Sequence, residues 1–448
     1  MSDPSNAVLP SGWARRPLGD VVDILDRLRV PVNAEEREKR SGSIPYYGAT
    51  GQVGWIDKHL FDEELVLLGE DGAPFLHPSK PKAYVVRGKS WVNNHAHVLR
   101  GRGVSNLFLM HQLNALDYHG AVTGTTRLKL PQAPMKKLSL VVPPPDQQAR
   151  IVAEIEKQFT RLDVGVEALK RLQAHLRRYR AAVLIAACSG SLVPPPRRAA
   201  SDESAHDFLG RMATLRAARQ KRQALAPESG LPSLPRGWEW ATLDQLTGVI
   251  RNGISAKPDR DQGLKILRIS AVRPLRVDVS DVRYLPDMRG GESDYLLSEG
   301  DLLFTRYNGN YDLVGVCGRV PALAGPLVHP DKLIRACLLD QDLGRYVEIA
   351  ANAGVSRAFV ASRVRTTAGQ AGISGADLRA TPIPIPPPSE RRLIVAEVQR
   401  RLSLCDAVGR TVESSLHRAT TLRSSLLHAA FEGRLGLGDI PLRATLGG

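Results

Sequence analysis

The sequence predicts a mixed α/β (α+β) fold: two globular regions separated by two long antiparallel coiled-coil helices, with a pseudo-twofold internal repeat. Three observations predict it. A duplication spans most of the 448 residues, a seven-residue apolar period closes each copy, and short apolar strands broken by turn residues precede that period.

The duplication is read directly from the chain. Leu9-Pro10-Ser11-Gly12-Trp13, followed by Leu18, recurs as Leu234-Pro235-Arg236-Gly237-Trp238, followed by Leu243, at an offset of 234 − 9 = 225. Val142-Pro143-Pro144-Pro145 recurs as Ile385-Pro386-Pro387-Pro388 at an offset of 386 − 143 = 243. That second register holds through Ile151-Val152-Ala153-Glu154 against Ile394-Val395-Ala396-Glu397, and on to Gly190 against Gly433 and Leu192 against Leu435. The copies therefore agree at their ends, and the second globular region is longer by 243 − 225 = 18 residues. A frame kept alike around contents made different suits two readers of different ligands on one scaffold.

The helices are expected over 146–188 and 389–431. Prolines stop the preceding strand, and Asp146 and Ser389 are suitable N-caps. Ile155, Leu162, Leu169, Leu176 and Val183 recur every seven residues, with Phe159, Val166, Leu172 and Tyr179 widening the stripe. Val398, Cys405, Val412, Ala419 and Leu426 do the same in the second helix. This is the period of a coiled-coil seam. Each helix of about 43 residues would span about 65 Å. Neither buries its stripe alone, so mutual antiparallel packing is expected, the alternative being that each packs on its own globular region or on another chain. Gly190 and Gly433 are expected helix stops. The expected segments are 1–145, a first globular region; 146–192, the first helix; 193–233, a linker; 234–388, a second globular region; and 389–448, the second helix with a C-terminal tail. The linker opens on Pro194, Pro195 and Pro196 and carries a short helical pattern of Phe208, Met212 and Leu215. It reads either as a solvated connector or as a docking segment for a partner.

Composition narrows the ligand. Lys and Arg number 61 against 46 Asp and Glu, a formal charge of +15. That excess favours a polyanion such as nucleic acid, although an Arg-rich soluble protein has the same look. The hydrophobic share of 43% supplies globular cores. No apolar run of ~18 residues predicts a membrane span. Met1 to Pro10 has no basic-then-apolar leader pattern, so a cytoplasmic location is expected. Cys188, Cys317, Cys337 and Cys405 lie far apart, without metal-ligand spacing, and read as small buried or half-buried residues.

Candidate readers of double-stranded DNA lie in loops between apolar strands. In the first region these are Tyr46, Tyr47 and Thr50 in a Gly-rich stretch, Lys89, then Asn93, Asn94 and His95 after Trp91-Val92, and Arg127. Asn fits the N6 and N7 edge of adenine. In the second region they are Arg268, Ser270, Arg306, Tyr307, Asn308, Asn310, Lys332 and Arg365. Arg forks onto guanine, Tyr stacks or touches a thymine methyl, and Lys and hydroxyl groups suit phosphate. Taken singly, each is as readily an ordinary surface or structural residue.

Catalytic readings fail. Ala83-Tyr84-Val85-Val86-Arg87-Gly88-Lys89-Ser90 resembles a phosphate-cradling loop but has Ala83 in place of the first Gly. No Asn- or Asp-Pro-Pro-aromatic run offers an amino-methyltransferase pocket, and no HExxH or paired cysteines offer a metal site. Glu154 and Glu156 with Lys157 lie on the heptad helix and read as its solvated face.

The repeated LPxGW openings at Leu9 and Leu234, the PPPDQQARI run at Pro143, GEDGA at Gly69, WVNNHAHVL at Trp91, GDLLFTRYNG at Gly300 and PPPSERRLIVAEV at Pro386 together resemble the specificity subunits of type I restriction–modification systems over nearly the full chain. The second proline motif departs by having Glu390-Arg391 where the first has Gln147-Gln148. The resemblance implies two target-recognition domains, each reading half of a split asymmetric DNA site, with the paired helices as a ruler for the unread spacer. It implies a non-catalytic chain without a cofactor of its own. The implied partners are two methyltransferase subunits, which bind S-adenosylmethionine, and endonuclease/translocase subunits; no membrane is implied. The alternatives are a modification-only complex and a structural coiled-coil adaptor.

Overall fold

A computed structural model of the chain describes residues 9–194, 202–258, 261–286, 291, 293–367 and 370–435. Pro195, Pro196 and the arginines that follow in the linker, the first eight residues and most of the C-terminal tail lie outside the described residues. The chain divides into two compact units, Met1–Leu172 with Thr411–Gly448, and Gln173–Arg410. Each holds one globular region and a share of both long helices.

In the first unit a four-stranded antiparallel sheet has the order Val22–Ile24, Ala96–Gly101, Leu65–Gly69, Ala83–Val86. The unbroken apolar run at Leu65 reflects burial on both faces. Val66 and Leu68 pack with Phe108, Leu109 and Leu113 of the helix Asn106–Ala115, while Leu65 and Leu67 pack with Phe61, Val92 and Val98. A second sheet sets Ile44–Gly48 between Gly51–Ile56 and Lys89–Val92, parallel to the latter. The pair Ala14–Pro17 and Ser139–Val142 closes the region and leads to the first long helix.

The second unit repeats this plan. Its four-stranded sheet has the order Thr247–Asn252, Leu333–Leu338, Leu302–Thr305, Cys317–Arg319. Leu302 and Phe304 face one core and Leu303 another. Leu264–Leu267 lies parallel to Leu327–Val328, and Glu239–Thr242 closes against Pro382–Ile385. The offset between equivalent strands is 239 − 14 = 225 at the entrance, 302 − 65 = 237 at the central strand and 382 − 139 = 243 at the exit. Of the 18 extra residues, 12 therefore precede the central strand and 6 follow it.

The long helices are Pro145–Ser189 and Pro388–Phe431. Within the first unit Ile151, Ile155 and Phe159 share a core with Leu427, Ala430 and Phe431, so the start of one helix runs antiparallel to the end of the other. Arg423 lies 4.0 Å over the Phe159 ring and 2.6 Å from Asp163. Within the second unit Val183, Ala187 and Cys188 meet Ile394 and Val398, and Arg180 pairs with Asp406. Gly190 (φ +74°) and Gly433 (φ +70°) end the helices in the left-handed region. A β-carbon at Gly190 would fall 2.6 Å from Pro235, and one at Gly433 2.3 Å from Pro10. Each helix end is thus seated on the LPxGW proline of the other copy. Leu172 and Tyr179, expected to widen the seam, are 41% and 45% exposed, because two helices in contact cover only a narrow stripe of each other.

The linker helix Ala205–Arg219 is neither solvated nor free. Ser204 caps it in a capping box, Phe208 and Met212 are buried, and the buried Arg216 guanidinium bonds Asp244 at 3.2 Å. It is an integral layer of the second unit. Phe208→Ala is therefore expected to destabilise that unit by about 3–5 kcal/mol. Urea denaturation with limited proteolysis of the linker measures this; a loss under about 1 kcal/mol would return the helix to the status of a connector.

Candidate nucleic-acid interface

Each unit gathers its candidate readers where the central strand and the parallel strand pair run out into loops. In the first unit the turn between Ile44–Gly48 and Gly51–Ile56, the loop after Leu65–Gly69 and the loop after Lys89–Val92 converge. They form an open cleft of about 600 Å³ lined by Thr50, Asp71, Asn93, His95 and Arg127 among others. Arg127 Nε lies 2.6 Å from Asp71 and crosses Gly72, where φ is +76° and a β-carbon would come 3.3 Å from it. His95 Nδ1 lies 3.4 Å from the same carboxylate. Asn93 is buried and its Oδ1 accepts from the His95 amide at 2.8 Å, so it shapes the loop. Asn94 beside it is exposed.

Three expected residues stand apart from this cleft. Tyr46 is 1% exposed, and its hydroxyl donates to Val32 O at 3.0 Å; its place is the core. Tyr47 faces Tyr84 at 6.0 Å between ring centres, half-buried. Burial holds the Tyr84 hydroxyl well above its ordinary pKa, and it donates to Gly48 O. Lys89 is exposed at the start of its strand, opposite Asp62. The phosphate-loop look-alike is strand, turn and strand, with Gly88 at φ +69°.

Behind the first cleft His97, 1% exposed, presents Nδ1 to Asp26 at 2.6 Å and Nε2 to Leu130 O at 2.9 Å. Arg29 bonds Glu70 at 2.6 Å and Ala96 O at 2.7 Å. Burial works against the charge on Asp26, but the His97 hydrogen bond, the Val98 amide and Arg29 hold its carboxyl below the usual range. Asp26, Glu70 and His97 bring possible metal ligands within 4.8 Å of one another. Both imidazole nitrogens are already engaged, however, and a guanidinium occupies the carboxylates. The group is an ion-pair network that anchors the loops.

In the second unit an open cleft of about 610 Å³ is lined by Arg268, Ser270, Tyr307, Asn308 and Lys332. Lys257, Arg273, Arg283 and Gln370 also line it. Sequence reading missed these four, although Arg283 on the strand Val282–Leu285 is legible as the polar face of an alternating segment. Arg268 and Ser270 share Asp281, the former at 3.6 Å. Arg306 stacks 4.8 Å over Tyr307, its Nη1 3.5 Å from Asp331 O, and its Nε has no partner. Asn308 Oδ1 accepts from the Asn310 amide at 2.9 Å, and Asn310 caps the turn Tyr311–Leu313. Arg365 is exposed on a strand of the small sheet that also holds Tyr307–Asn308 and Gln370–Gly372. The Tyr307 ring lies across Gly372, where a β-carbon would be 2.4 Å from it.

Two equivalent polar clefts in a duplicated fold define a two-module chain. The family model for the type I restriction modification DNA specificity domain matches residues 10–173. The EcoKI specificity subunit of Escherichia coli K12 is 31% identical over 66% of this chain. This chain spans 58% of that relative's length. The StySPI specificity subunit of Salmonella potsdam is 22% identical over 95% of this chain and 90% of its own. A solved chain from a study of complex assembly and conformational transition in a type I restriction–modification system covers 96% of this chain and 100% of its own, with a TM-score of 0.59 at 16% identity. The chain thus carries a type I restriction modification DNA specificity domain over residues 10–173 and is similar to type I restriction enzyme specificity subunits beyond it. Among the described residues no helix is long and apolar enough to cross a membrane.

Gly372→Ala is expected to lift the Tyr307 ring and weaken reading of one half-site by about 1–3 kcal/mol, the worth of one base contact. Electrophoretic mobility shifts on sites altered in one half at a time measure it. Equal loss on every sequence would make Tyr307 a positioning residue.

Proposed function

We propose that this chain is the DNA sequence-specificity subunit of a type I restriction–modification complex, recognising a bipartite asymmetric site. One unit reads each half. The observation that carries this is one polar cleft repeated at the same place in a duplicated fold. The chain holds the target and leaves base flipping and methyl transfer to two methyltransferase subunits, which bring S-adenosylmethionine. It has no catalytic centre and no cofactor of its own, works in the cytoplasm, and also positions endonuclease/translocase subunits. Val164, Ile185, Leu404 and Leu422 on the long helices are 65%, 53%, 60% and 43% exposed, which supports contact with further chains there.

Within this reading the clefts supply two kinds of contact. Asn94, His95 and Arg127, and Tyr307 and Asn308, face base edges, while Lys257, Arg283 and Lys332 serve phosphates. The functional core is the half-site independence of the two sets. Asn308→Ala is expected to relax one position of one half-site at a cost of about 1–3 kcal/mol, and Asn94→Ala one position of the other. Lys257→Ala or Arg283→Ala should instead weaken binding on all sequences and lower the salt slope by about one each. Binding to randomised half-sites across salt concentrations separates the two. If either asparagine variant relaxed both half-sites, two independent readers would be ruled out.

The long helices act as the ruler. Four residues inserted between Val166 and Leu176, with a matching insertion near Val412, add about 6 Å of helix, just over one turn. At ~3.4 Å per base pair, the preferred spacer should lengthen by about two base pairs with both half-sites unchanged. Selection from a library of spacer lengths reads this directly. A well-folded variant with the original spacer preference would show that the helices do not set the distance.

A further inference from the structure

The departure at Glu390-Arg391 marks a second kind of site. In the first unit Trp13 Nε1 donates to Gln147 Oε1 at 2.7 Å, and in the second Trp238 Nε1 donates to Glu390 Oε1 at 3.0 Å. The next residue is buried in both. Gln148, 3% exposed, is satisfied within its own unit: its amide donates to Gly103 O at 3.2 Å and Pro143 O at 3.0 Å, and accepts from the Ser105 amide at 3.1 Å. Its counterpart Arg391 is 4% exposed, stacks 4.5 Å from the Phe208 ring, and leaves Nη1 without a hydrogen-bond partner. Burial pulls its pKa down from the ordinary guanidinium value. A buried cation stands where the repeat has a satisfied amide, with Asp340, Asp342 and Glu203 offsetting its charge through space and no hydrogen bond at its Nη1.

Arg391 lines a cleft between the linker helix, the second sheet and the first turns of the second long helix. Five arginines face three carboxylates there. Glu203 and Asp340 are taken up by Arg211, at 3.0 and 3.3 Å. Arg319 Nε is a second buried donor without a partner, and Arg392 stands exposed at the same cleft. The helix N-terminus adds its own partial positive charge. An oxyanion suits this set of donors.

The topology argues against a phosphate of the DNA that the second unit would read. The strand Leu302–Thr305 leads to Tyr307 at one end, where Thr305 pairs with Leu333 beside Lys332. At its other end Leu302 pairs with Arg319. The arginine cleft thus lies at the opposite end of the sheet from the reading cleft. Val395 and Ala396 in the cleft wall, with exposed leucines further along the helix, argue for a polypeptide over a free ion. Leu393, next to Arg392, is 47% exposed, and Leu404, three turns on along the same face, is 60% exposed.

We propose that this cleft is a docking site for a carboxylate side chain of a partner polypeptide, held by Arg391, Arg319 and Arg392 with Val395 and Ala396 of the long helix beside it. The proposal rests on the reading of the chain as a subunit of a larger complex. Its test uses the full chain with the methyltransferase subunit as probe, assembly being measured by calorimetry. Arg391→Gln restores the residue of the first copy and should weaken assembly at least about tenfold, the loss of one charge-assisted hydrogen bond. Arg392→Gln, on the surface, should weaken it without touching the core. Both variants should bind each DNA half-site as the unaltered chain does. Unchanged assembly in both variants would overturn the proposal, as would a parallel loss of half-site binding. Binding of sodium phosphate abolished by Arg391→Gln, with assembly unaffected, would make this a free-anion site and also overturn it. An unaltered chain that does not assemble at all would remove the subunit reading and this site together.

Discussion

The apolar stripe of each long helix has to be covered, and covering it organises everything else in the molecule. A helix of 44 or 45 residues with one greasy edge is not stable alone in water. Antiparallel pairing settles this inside each unit, through Ile155 and Phe159 against Leu427 and Phe431 in one, and Val183 and Ala187 against Ile394 and Val398 in the other. It also brings the end of each helix beside the opening motif of the other copy. Gly433 then rests on Pro10 and Gly190 on Pro235, so the LPxGW motif is explained by closure. The tryptophan of that motif is spent on the same joint, its indole donating to the third residue of the long helix.

With the frame fixed by these contacts, the globular regions are free to differ where nothing in the frame depends on them. The strands that bury both faces, Leu65–Gly69 and Leu302–Thr305, keep their place in each sheet. The 12 residues added before the second of these lie in the stretch that builds part of the reading cleft, including Lys257 and Arg268 to Arg283. Length tolerance there follows from the low entropic cost of longer surface loops.

The same division governs what was legible beforehand. Helix boundaries expected at 146–188 and 389–431 fall within one residue of Pro145–Ser189 and Pro388–Phe431, because heptads and proline stops are local signals. The linker helix was legible as a helix, but its packing was not: Phe208, Met212 and Arg216 find their partners in Trp238, Leu243 and Asp244 through tertiary contact. Among the candidate readers, Thr50, His95 and Arg127, and Arg268, Tyr307 and Lys332, are drawn into clefts. Tyr46 was indistinguishable from Tyr47 by residue type, yet alternation along the strand sends it to the core. Lys257 and Arg273 were invisible because only the fold of their loops carries them to Tyr307.

At each cleft one arginine is paired with a carboxylate. Arg127 is held by Asp71, and Arg268 by Asp281 together with Ser270. A carboxylate beside a phosphate is repelled, so such a pair is a poor general clamp on a nucleic-acid backbone. It does, however, fix the direction in which a guanidinium fork points, and a fork is of use only if its direction is set before contact. The Arg29, Glu70, His97 and Asp26 network does the same one layer deeper, anchoring the loop that carries Asp71. Pairing of this kind trades general attraction for discrimination. It also explains why the +15 net charge alone was a weak guide: Arg127 and Arg268 are each answered by a carboxylate of the chain, and what they offer is direction.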